Sequence, residues 1–166
     1  TNTHTPVLFF STHGQVYRMK VYKLPEGAPQ ARGKPLINLL PLESGETIST
    51  ILPLPEDEVT WSDLNVVFAT AKGNVRRNSM GDFTNVPSNG KIAIRFEEGS
   101  DDHLIGVSLC SEADDVLLAA KNGKSIRFPL SDLRVFQGRT STGVRGMKLG
   151  IGEEVIGLSI LAGQRA

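Results

Sequence analysis

The sequence predicts an all-β fold made of repeated, propeller-like units, and three observations support this. Three apolar segments begin at Val7, Val66 and Val116, and each is followed by a glycine and then by basic residues. Each segment is closed by a second apolar run at a nearly constant distance from its glycine. No stretch has the periodicity of an amphipathic helix, and 17 glycines and 9 prolines interrupt the chain instead.

The repeats span about 7–54, 66–110 and 116–161, and together they form one fragment covering 1–166. Each repeat is interpreted as four short strands. A four-stranded unit that recurs about every 50 residues is typical of a propeller blade. Because propellers usually have about four to eight blades, three units predict an incomplete ring.

The first strand of each unit is a continuous apolar run, which is typical of a strand buried on both faces. The second strand follows across a tight hairpin at Gly14, Gly73 or Gly123. The pair Asn122-Gly123 predicts a two-residue turn in which both central positions have positive φ.

The third strand is clearest at Lys91–Glu97, where apolar and polar residues alternate. The fourth strand alternates in the same way at Leu104–Cys110 and Val155–Leu161. In the first unit the alternation of the fourth strand is broken by Pro53, a residue confined to edges and ends of strands.

Composition excludes several classes of protein. A single cysteine, Cys110, excludes an internal disulfide and a cysteine-rich zinc site, and it favours a reducing cytosol. No apolar run approaches the ~18 residues of a membrane helix, and no basic flank precedes the first apolar run as in a secretory signal. We therefore expect a cytoplasmic location.

The net charge is zero, with 18 basic and 18 acidic residues, but the charges are segregated. The hairpin windows Ser11–Leu24, Ala69–Gly81 and Ala119–Ser131 contain half of the basic residues and no acidic residue. Those basic residues are Arg18, Lys20, Lys23, Lys72, Arg76, Arg77, Lys121, Lys124 and Arg127. If the units stack in register, the hairpins form one positive stripe and the acidic turns lie on another edge. Such a stripe suits a polyanion backbone.

The connection before each third strand adds further basic residues, and glycines accompany them. They are Arg32, Lys34, Lys91, Arg139 and Arg145. Glycine allows a backbone to approach a large ligand and exposes N–H groups to phosphate. The charge pattern alone does not distinguish DNA from RNA or from an acidic protein, and single basic hairpins are often only solvated loops.

The sequence contains no catalytic constellation, and we expect neither a bound metal nor a cofactor. Tyr17 lies in a strand pattern that favours core packing, and Trp61 is interpreted as a packing anchor. The three histidines are far apart and lack the spacing of metal ligands. No glycine-rich phosphate loop ends in Lys-Ser or Lys-Thr.

The stretches VLFFSTHGQVYRMKVYKLPE, ARGKPLINLLPL and TGVRGMKLG closely resemble the C-terminal domain of DNA gyrase A. The resemblance runs from about Val7 to Leu161, in order and with the same repeat period. It implies a β-pinwheel, a six-bladed propeller-like disc whose neighbouring blades exchange strands.

The resemblance also implies a function. The basic outer rim of this family wraps duplex DNA, and the wrapped DNA supports negative supercoiling by an ATP-dependent type II topoisomerase. The implied partners are double-stranded DNA, the rest of gyrase A and gyrase B, with ATP and magnesium bound elsewhere in the parent enzyme. The resemblance places six cations on the DNA-facing rim: Arg18, Lys20, Arg76, Arg77, Lys124 and Arg127. It places five others in the blade loops that match weak copies of the family's basic box: Arg32, Lys34, Lys91, Arg139 and Arg145.

Two departures from the family pattern affect these expectations. The full glutamine-led basic box is absent, and its nearest echo is Gln30–Pro35. Only about three of the six blades are present.

Two alternative interpretations of the sequence remain. They are the corresponding C-terminal domain of topoisomerase IV and a propeller-type module that binds an acidic protein.

Overall fold

The computed structural model of the protein describes residues 2–163, and strands and turns dominate it. Its strands are β1 (Pro6–Ser11), β2 (Gln15–Lys20), β3 (Ile48–Pro53), β4 (Asn65–Thr70), β5 (Asn74–Ser79), β6 (Lys91–Ile92), β7 (Leu104–Cys110), β8 (Asp115–Ala120), β9 (Ser125–Pro129), β10 (Val144–Arg145) and β11 (Val155–Leu161). Short 3-10 helices lie at Val21–Lys23, Leu36–Asn38, Glu58–Asp63, Met80–Phe83 and Leu130–Asp132. Over residues 2–163 there is no helix long and apolar enough to span a bilayer. The all-β prediction is confirmed.

The strands form three antiparallel sheets that exchange strands. The first sheet has the order β3-β1-β2-β6, the second β10-β5-β4-β7 and the third β11-β8-β9. Strand β6 comes from the second repeat but pairs with β2 of the first. Strand β10 comes from the third repeat and pairs with β5 of the second. Each of the first two sheets is therefore completed by the unit that follows it in the chain.

Each sheet has an inner and an outer edge. The inner edge consists of β3, β7 and β11, and β7 contacts both of the others. The Val107 N–H on β7 donates to Thr50 Oγ1 on β3 (3.2 Å), and β7 also packs against β11. The outer edge, at the other end of the strand order, consists of β6, β10 and β9. The exchanged strands therefore lie outermost in the first two sheets.

Apolar clusters on both faces explain why the first strands are continuously apolar. In β1, Leu8 and Phe10 face the second sheet, while Val7 and Phe9 face a cluster that includes Leu40. Strand β4 is likewise buried on both faces. Strand β8 differs, because its buried residues alternate with half-buried ones. Within residues 2–163 only one neighbouring sheet packs against it.

The core between the first two sheets is aromatic. The rings of Phe10, Phe68 and Phe83 lie 5.6 to 6.0 Å apart, mostly edge to face. Trp61 is fully buried in the same cluster, and its Nε1 donates to Pro55 O (2.9 Å). The prediction that Trp61 anchors packing is confirmed.

The hairpins differ in detail from the prediction. In the third hairpin, the Gly123 N–H donates to Ala120 O (3.0 Å), so Lys121 and Asn122 are the central residues of the turn. Gly123 has φ +84°, whereas no described residue other than glycine has positive φ. The prediction of positive φ at Asn122 is wrong. A turn followed by a left-handed glycine needs positive φ only at that glycine.

The predicted third strand, Lys91–Glu97, is also much shorter in the structure, because only Lys91–Ile92 pairs as a strand. The N–H groups of Ala93 and Ile94 both donate to Gly14 O (2.8 and 3.1 Å), and this shared acceptor ends the ladder. Ala93 and Ile94 are both buried, so the predicted alternation does not hold there.

Candidate nucleic-acid interface

The three hairpins lie at the same end of their sheets. Leu104, at the start of β7, pairs with Thr70 beside the second hairpin and donates its N–H to Thr12 O in the first (3.1 Å). Val155, at the start of β11, pairs with the third hairpin and donates its N–H to Ala71 O in the second (2.8 Å). The tips are therefore held in register by the inner strands.

The acidic turns lie at this same end, so the prediction that they occupy a different edge is wrong. Each turn faces the hairpin of its own unit, through the pairs His13–Glu43 (4.0 Å), Lys72–Asp101 and Lys124–Glu153 (3.4 Å). The physical reason is topological. The fourth strand of each unit runs antiparallel to the first, so the turn that leads into it lies beside the hairpin that leaves the first.

These contacts shift the charge balance at the hairpin tips. The hydrogen bond between Lys72 and Asp101 raises the pKa of Lys72 and lowers that of Asp101. The pKa of Glu153 is lowered, chiefly because the Gly150 N–H donates to its carboxylate (2.6 Å). The carboxylates therefore stay ionised at neutral pH and partly neutralise Lys72 and Lys124.

Two further hairpin cations are held by carboxylates. The Arg18 guanidinium pairs with Glu58 and donates to Thr84 O (2.8 Å). The Arg127 Nε donates to Asp115 on the neighbouring strand β8 (2.7 Å). Both arginines retain exposed surface, but a phosphate would have to compete with the carboxylate for each.

Arg76 does not lie on the surface, although the family resemblance implies a place on the DNA-facing rim. It is 0% exposed, and its guanidinium donates to the carbonyls of Ala93, Arg139 (3.1 Å) and Ser141. It also lies over the ring of Phe68, 5.0 Å from the centroid. Burial lowers the pKa of Arg76 to about 10, so the group is still charged at neutral pH.

Arg77 is 4% exposed, donates to Leu133 O (3.2 Å) and pairs with Glu112. The prediction that Arg76 and Arg77 contact DNA from an exposed rim is therefore wrong. The reason is strand exchange: the segment of the third unit that contains β10 covers β5. These two arginines hold that segment in place instead.

Two of the cations near the exchanged strands, Lys91 and Arg139, are partly buried. Lys91 Nζ donates to Asp82 O (3.1 Å), and burial, aided by Arg139, lowers the pKa of Lys91. Arg139 donates to Ile92 O (2.7 Å). Arg145, on β10, is exposed. The hydrogen bond from Arg139 to Ile92 O thus connects the two exchanged segments, and each segment has a cation near the outer edge.

Six of the cations proposed from sequence are exposed and form no ion pair within residues 2–163. They are Lys20, Lys23, Arg32, Lys34, Lys121 and Arg145.

Among residues 2–163, three exposed cations were missed by the sequence analysis: Arg95, Arg134 and Lys148. Arg134 lies 4.5 Å from the centroid of the Phe136 ring. Arg95 and Lys148 each stand at the same spacing after the glycine that precedes an exchanged strand, and this shared spacing is the sequence signal that could have revealed them.

Comparisons with known proteins agree with this architecture. The family model described as the DNA gyrase C-terminal domain, beta-propeller, matches residues 5–55, 64–111 and 114–162. The chain belongs to this family. It is 53% identical over 165 residues to the DNA gyrase A protein of Rickettsia bellii and 45% identical over 165 residues to that of Escherichia coli. In each case the match covers 99% of this chain and 18% of the relative, so the chain spans about a fifth of these proteins.

Solved structures show the same fold as this member of the gyrase C-terminal domain family. The C-terminal domain of DNA topoisomerase IV superposes with a TM-score of 0.82 at 22% identity, over 97% of this chain and 48% of that one. A DNA gyrase A C-terminal domain superposes with a TM-score of 0.73 at 25% identity, over 95% and 48%. The expected resemblance to DNA gyrase A and the β-pinwheel class are confirmed.

The two tyrosines of this chain, Tyr17 and Tyr22, contact other side chains of the fold. Tyr17 is buried, and its hydroxyl lies 3.0 and 3.1 Å from the two carboxylate oxygens of Glu46, so its pKa is raised by burial and by that carboxylate. Tyr22 is exposed, beside His4. Among residues 2–163 no group of three or more acidic, histidine or cysteine side chains could hold a metal ion.

Proposed function

We propose that this chain binds duplex DNA without sequence specificity and wraps it, as part of a DNA gyrase A protein. In that role it supports ATP-dependent negative supercoiling by the parent type II topoisomerase, together with the rest of gyrase A and with gyrase B. The chain supplies a DNA-binding surface, whereas DNA cleavage, ATP and magnesium belong to other parts of the parent enzyme.

One observation supports this proposal most strongly: the outermost strand of each sheet has a single basic residue and no acidic residue. These residues are Lys91 on β6, Arg145 on β10 and Arg127 on β9. Because the three strands form the outer edge, each sheet presents positive charge on the side away from the inner strands. A repeated cation on successive sheets matches a polymer that carries a charge at every step.

The proposed DNA contacts fall into two groups. The first comprises cations that have no carboxylate partner among the described residues, namely Lys20, Lys23, Arg32, Lys34, Lys121 and Arg145, with Lys91 and Arg139 beside them. The second comprises the paired cations Arg18, Lys72, Lys124 and Arg127. We expect the second group to contribute less, because a phosphate gains less from a cation that already has a counter-charge.

The binding mode is electrostatic. Phosphates that are neutralised by lysine and arginine release condensed counterions, which drives association independently of sequence. Contacts of this kind position DNA without reading its bases. The outer edge has no helix that could enter a groove, since the described residues contain only strands and short 3-10 turns.

The salt dependence of binding tests the proposal. Anisotropy of a labelled duplex is measured with the 166-residue chain over a range of salt concentrations. The unpaired cations are neutralised in Lys20→Gln/Lys34→Gln/Arg145→Gln, and the paired hairpin-tip cations, which do not lie on the outermost strands, are neutralised in the control Lys72→Gln/Lys124→Gln. We expect the first variant to flatten the log–log slope by about 0.9 for each phosphate that is no longer neutralised, and the control to flatten it less per substitution. A wild-type affinity that does not change with salt would refute the proposal.

The division of labour is tested in the whole enzyme. The three unpaired-cation substitutions are introduced into full-length gyrase A, which is assayed together with gyrase B. Supercoiling is expected to fall more than DNA cleavage, because this region contains no cleavage chemistry. An equal loss of both activities would contradict the proposed role.

A further inference from the structure

The arginine at the fourth place after the hairpin glycine is held in the same way in the first two sheets. In β2, Arg18 donates to Thr84 O (2.8 Å) and pairs with Glu58. In β5, Arg77 likewise donates to a carbonyl of the third unit (3.2 Å) and pairs with Glu112. In both sheets the carbonyl belongs to the unit that follows, and the carboxylate lies in the connection between the two units. Each arginine is therefore held by a neutral acceptor and neutralised by a separate acidic residue.

The two ion pairs differ in their access to solvent. The Arg77 side chain is buried. The side chain of Arg18 is 22% exposed, and that of its partner Glu58 is 37% exposed. A ligand can therefore approach the first pair from solvent, whereas the arginine of the second pair is out of reach.

Arg18 has contacts that hold it independently of Glu58. Its guanidinium lies 5.6 Å from the centroid of the Trp61 ring, a cation–π contact. That ring is fully buried and fixed by the hydrogen bond from its Nε1 to Pro55 O (2.9 Å). Nη1 of Arg18 donates to Thr84 O, whereas Nη2 donates to Glu58. Loss of the carboxylate thus leaves the guanidinium in place, with Nη2 available to another oxygen.

The carboxylate of Glu58 can leave without unfolding its segment. Glu58 is the first residue of the 3-10 helix Glu58–Asp63. This helix is capped by Asp57, whose carboxylate accepts the Val59 N–H (3.1 Å), and it is anchored by the buried Trp61. Rotation of the Glu58 side chain into water therefore breaks only its contact with Arg18. Among the carboxylates of residues 55–63, only that of Glu58 forms an ion pair within residues 2–163.

A phosphate fits the place that the carboxylate occupies. Guanidinium groups bind carboxylates and phosphates with the same planar set of N–H donors. Lys20 lies two residues after Arg18 on β2, so it is on the same face of the strand and about 6.6 Å further along it. Lys20 is exposed and forms no ion pair within the described part of the chain. A phosphodiester chain that contacts Lys20 therefore passes close to Arg18.

We propose that Glu58 competes with DNA for Arg18. In the free chain its carboxylate occupies the place of a backbone phosphate, and on binding a phosphate displaces it while Arg18 stays on Thr84 O and the Trp61 ring. This inference rests on the proposed function, and it assigns to Glu58 the role of lowering the affinity of the DNA-binding surface. The connection between the first two units is then a regulator of DNA binding as well as a linker.

A carboxylate-to-amide substitution tests the competition. Duplex affinity of the 166-residue chain and of Glu58→Gln is measured by anisotropy over a range of salt concentrations. We expect the variant to bind about two- to fivefold more tightly at low salt, the range that corresponds to one partly exposed ion pair. We expect its log–log salt slope to steepen by up to about 0.9, because Arg18 then neutralises a phosphate fully.

Glu56→Gln is the matched control. It makes the same change of charge in the same connection, but Glu56 accepts a hydrogen bond from Asn2 and forms no ion pair among the described residues. Its gain in affinity is expected to be less than twofold. Equal gains in Glu58→Gln and Glu56→Gln would overturn the competition and leave DNA binding itself intact. A wild-type chain that does not bind the duplex would refute the proposed function, and this inference with it.

Trp61 is the single tryptophan of the chain and reports the exchange directly. Replacement of the Glu58 carboxylate by a phosphate changes the charges around Arg18, so the emission of Trp61 is expected to shift when duplex is added to the wild-type chain. In Arg18→Gln the shift is expected to disappear although the other cations still bind DNA. If Arg18→Gln loses its folded circular dichroism, Arg18→Lys replaces it, with a smaller shift expected. An undiminished shift in the substituted chain would overturn the proposal.

Discussion

Strands β5 and β9 occupy the same place in successive units, yet their side chains have opposite environments. The third residue after the hairpin glycine is Arg76 in β5 and Ile126 in β9, and the fourth is Arg77 or Arg127. The two residues of β5 are buried under the exchanged segment, whereas the two residues of β9 are exposed. The difference shows that the next unit decides whether a hairpin cation reaches solvent.

This comparison separates structural from functional positive charge. In β5, Arg76 donates to backbone carbonyls of neighbouring segments, one of them, Ala93 O, through a buried hydrogen bond, and so joins these segments to the strand. In β9, Arg127 pairs with the nearby Asp115, and its side chain remains 58% exposed. Local sequence is basic in both places, so composition alone assigns them the same role.

The largest expected effect is on stability at Arg76. Arg76→Met leaves three carbonyls without a donor, at about 1–3 kcal/mol each, so the free energy of unfolding is expected to fall by about 4 kcal/mol. The matched change Arg127→Met removes one exposed ion pair, worth about 0–1 kcal/mol. Urea unfolding followed by the single tryptophan, Trp61, measures both. Similar losses of unfolding free energy in the two variants would contradict this prediction. They would show that coverage by the next unit does not make the arginine of β5 more important for stability than that of β9.

A pair of glycines sharpens the same contrast. Gly143 and Gly123 both have positive φ, but a Cβ on Gly143 would lie 2.2 Å from Val75 O, while one on Gly123 would meet nothing within 4 Å. Gly143→Ala combines left-handed strain of about 1–2 kcal/mol with an overlap of about 1–3 kcal/mol, whereas Gly123→Ala has the strain alone. Thermal unfolding of both variants tests whether Gly143→Ala lowers the Tm more than Gly123→Ala does. Equal shifts in Tm would contradict the prediction.

Tyr17 is the first-sheet counterpart of Arg76, and it predicts a pH dependence. Burial and Glu46 raise the pKa of Tyr17 above its unfolded value, so the associated stability is present below about pH 10 and is lost as the pH rises further. Tyr17→Phe is expected to cost about 1–2 kcal/mol at neutral pH by removing a hydrogen bond to a buried carboxylate. It also removes this alkaline loss. Urea titrations at neutral and alkaline pH detect both effects; an unchanged alkaline loss in the variant would contradict the assignment.

The smallest expected effect concerns a paired hairpin cation. Asp101→Asn frees Lys72 from its carboxylate. Duplex binding is then expected to strengthen, and its log–log salt slope to steepen by no more than about 0.9, the contribution of one phosphate. Asp132→Asn, on a carboxylate that forms no ion pair within residues 2–163, serves as a control of equal charge change. Equal effects would mean that only the net charge matters.

Much of the fold could be predicted from residues close together in the chain. The apolar runs that became β1 and β4, the glycines of the hairpins and the burial of Trp61 follow from local pattern. The length of β6 could not be predicted, because it ends where two N–H groups converge on Gly14 O in another unit. The site was predicted only in part, since exposure of its cations depends on segments remote in sequence.

The sequence by itself determined that the chain is all-β, that it repeats, and that its hairpins are rich in basic residues and free of acids. These properties depend on periodicity and turn chemistry, which act over a few residues. Only the tertiary structure decided which cations face solvent. Strand exchange buries Arg76 and Arg77, and antiparallel pairing brings Asp101 and Glu153 to the hairpins. Whether a cation is exposed or paired with a carboxylate depends on which segment packs against it. In this protein that segment comes from the next unit or from a distant part of the same unit.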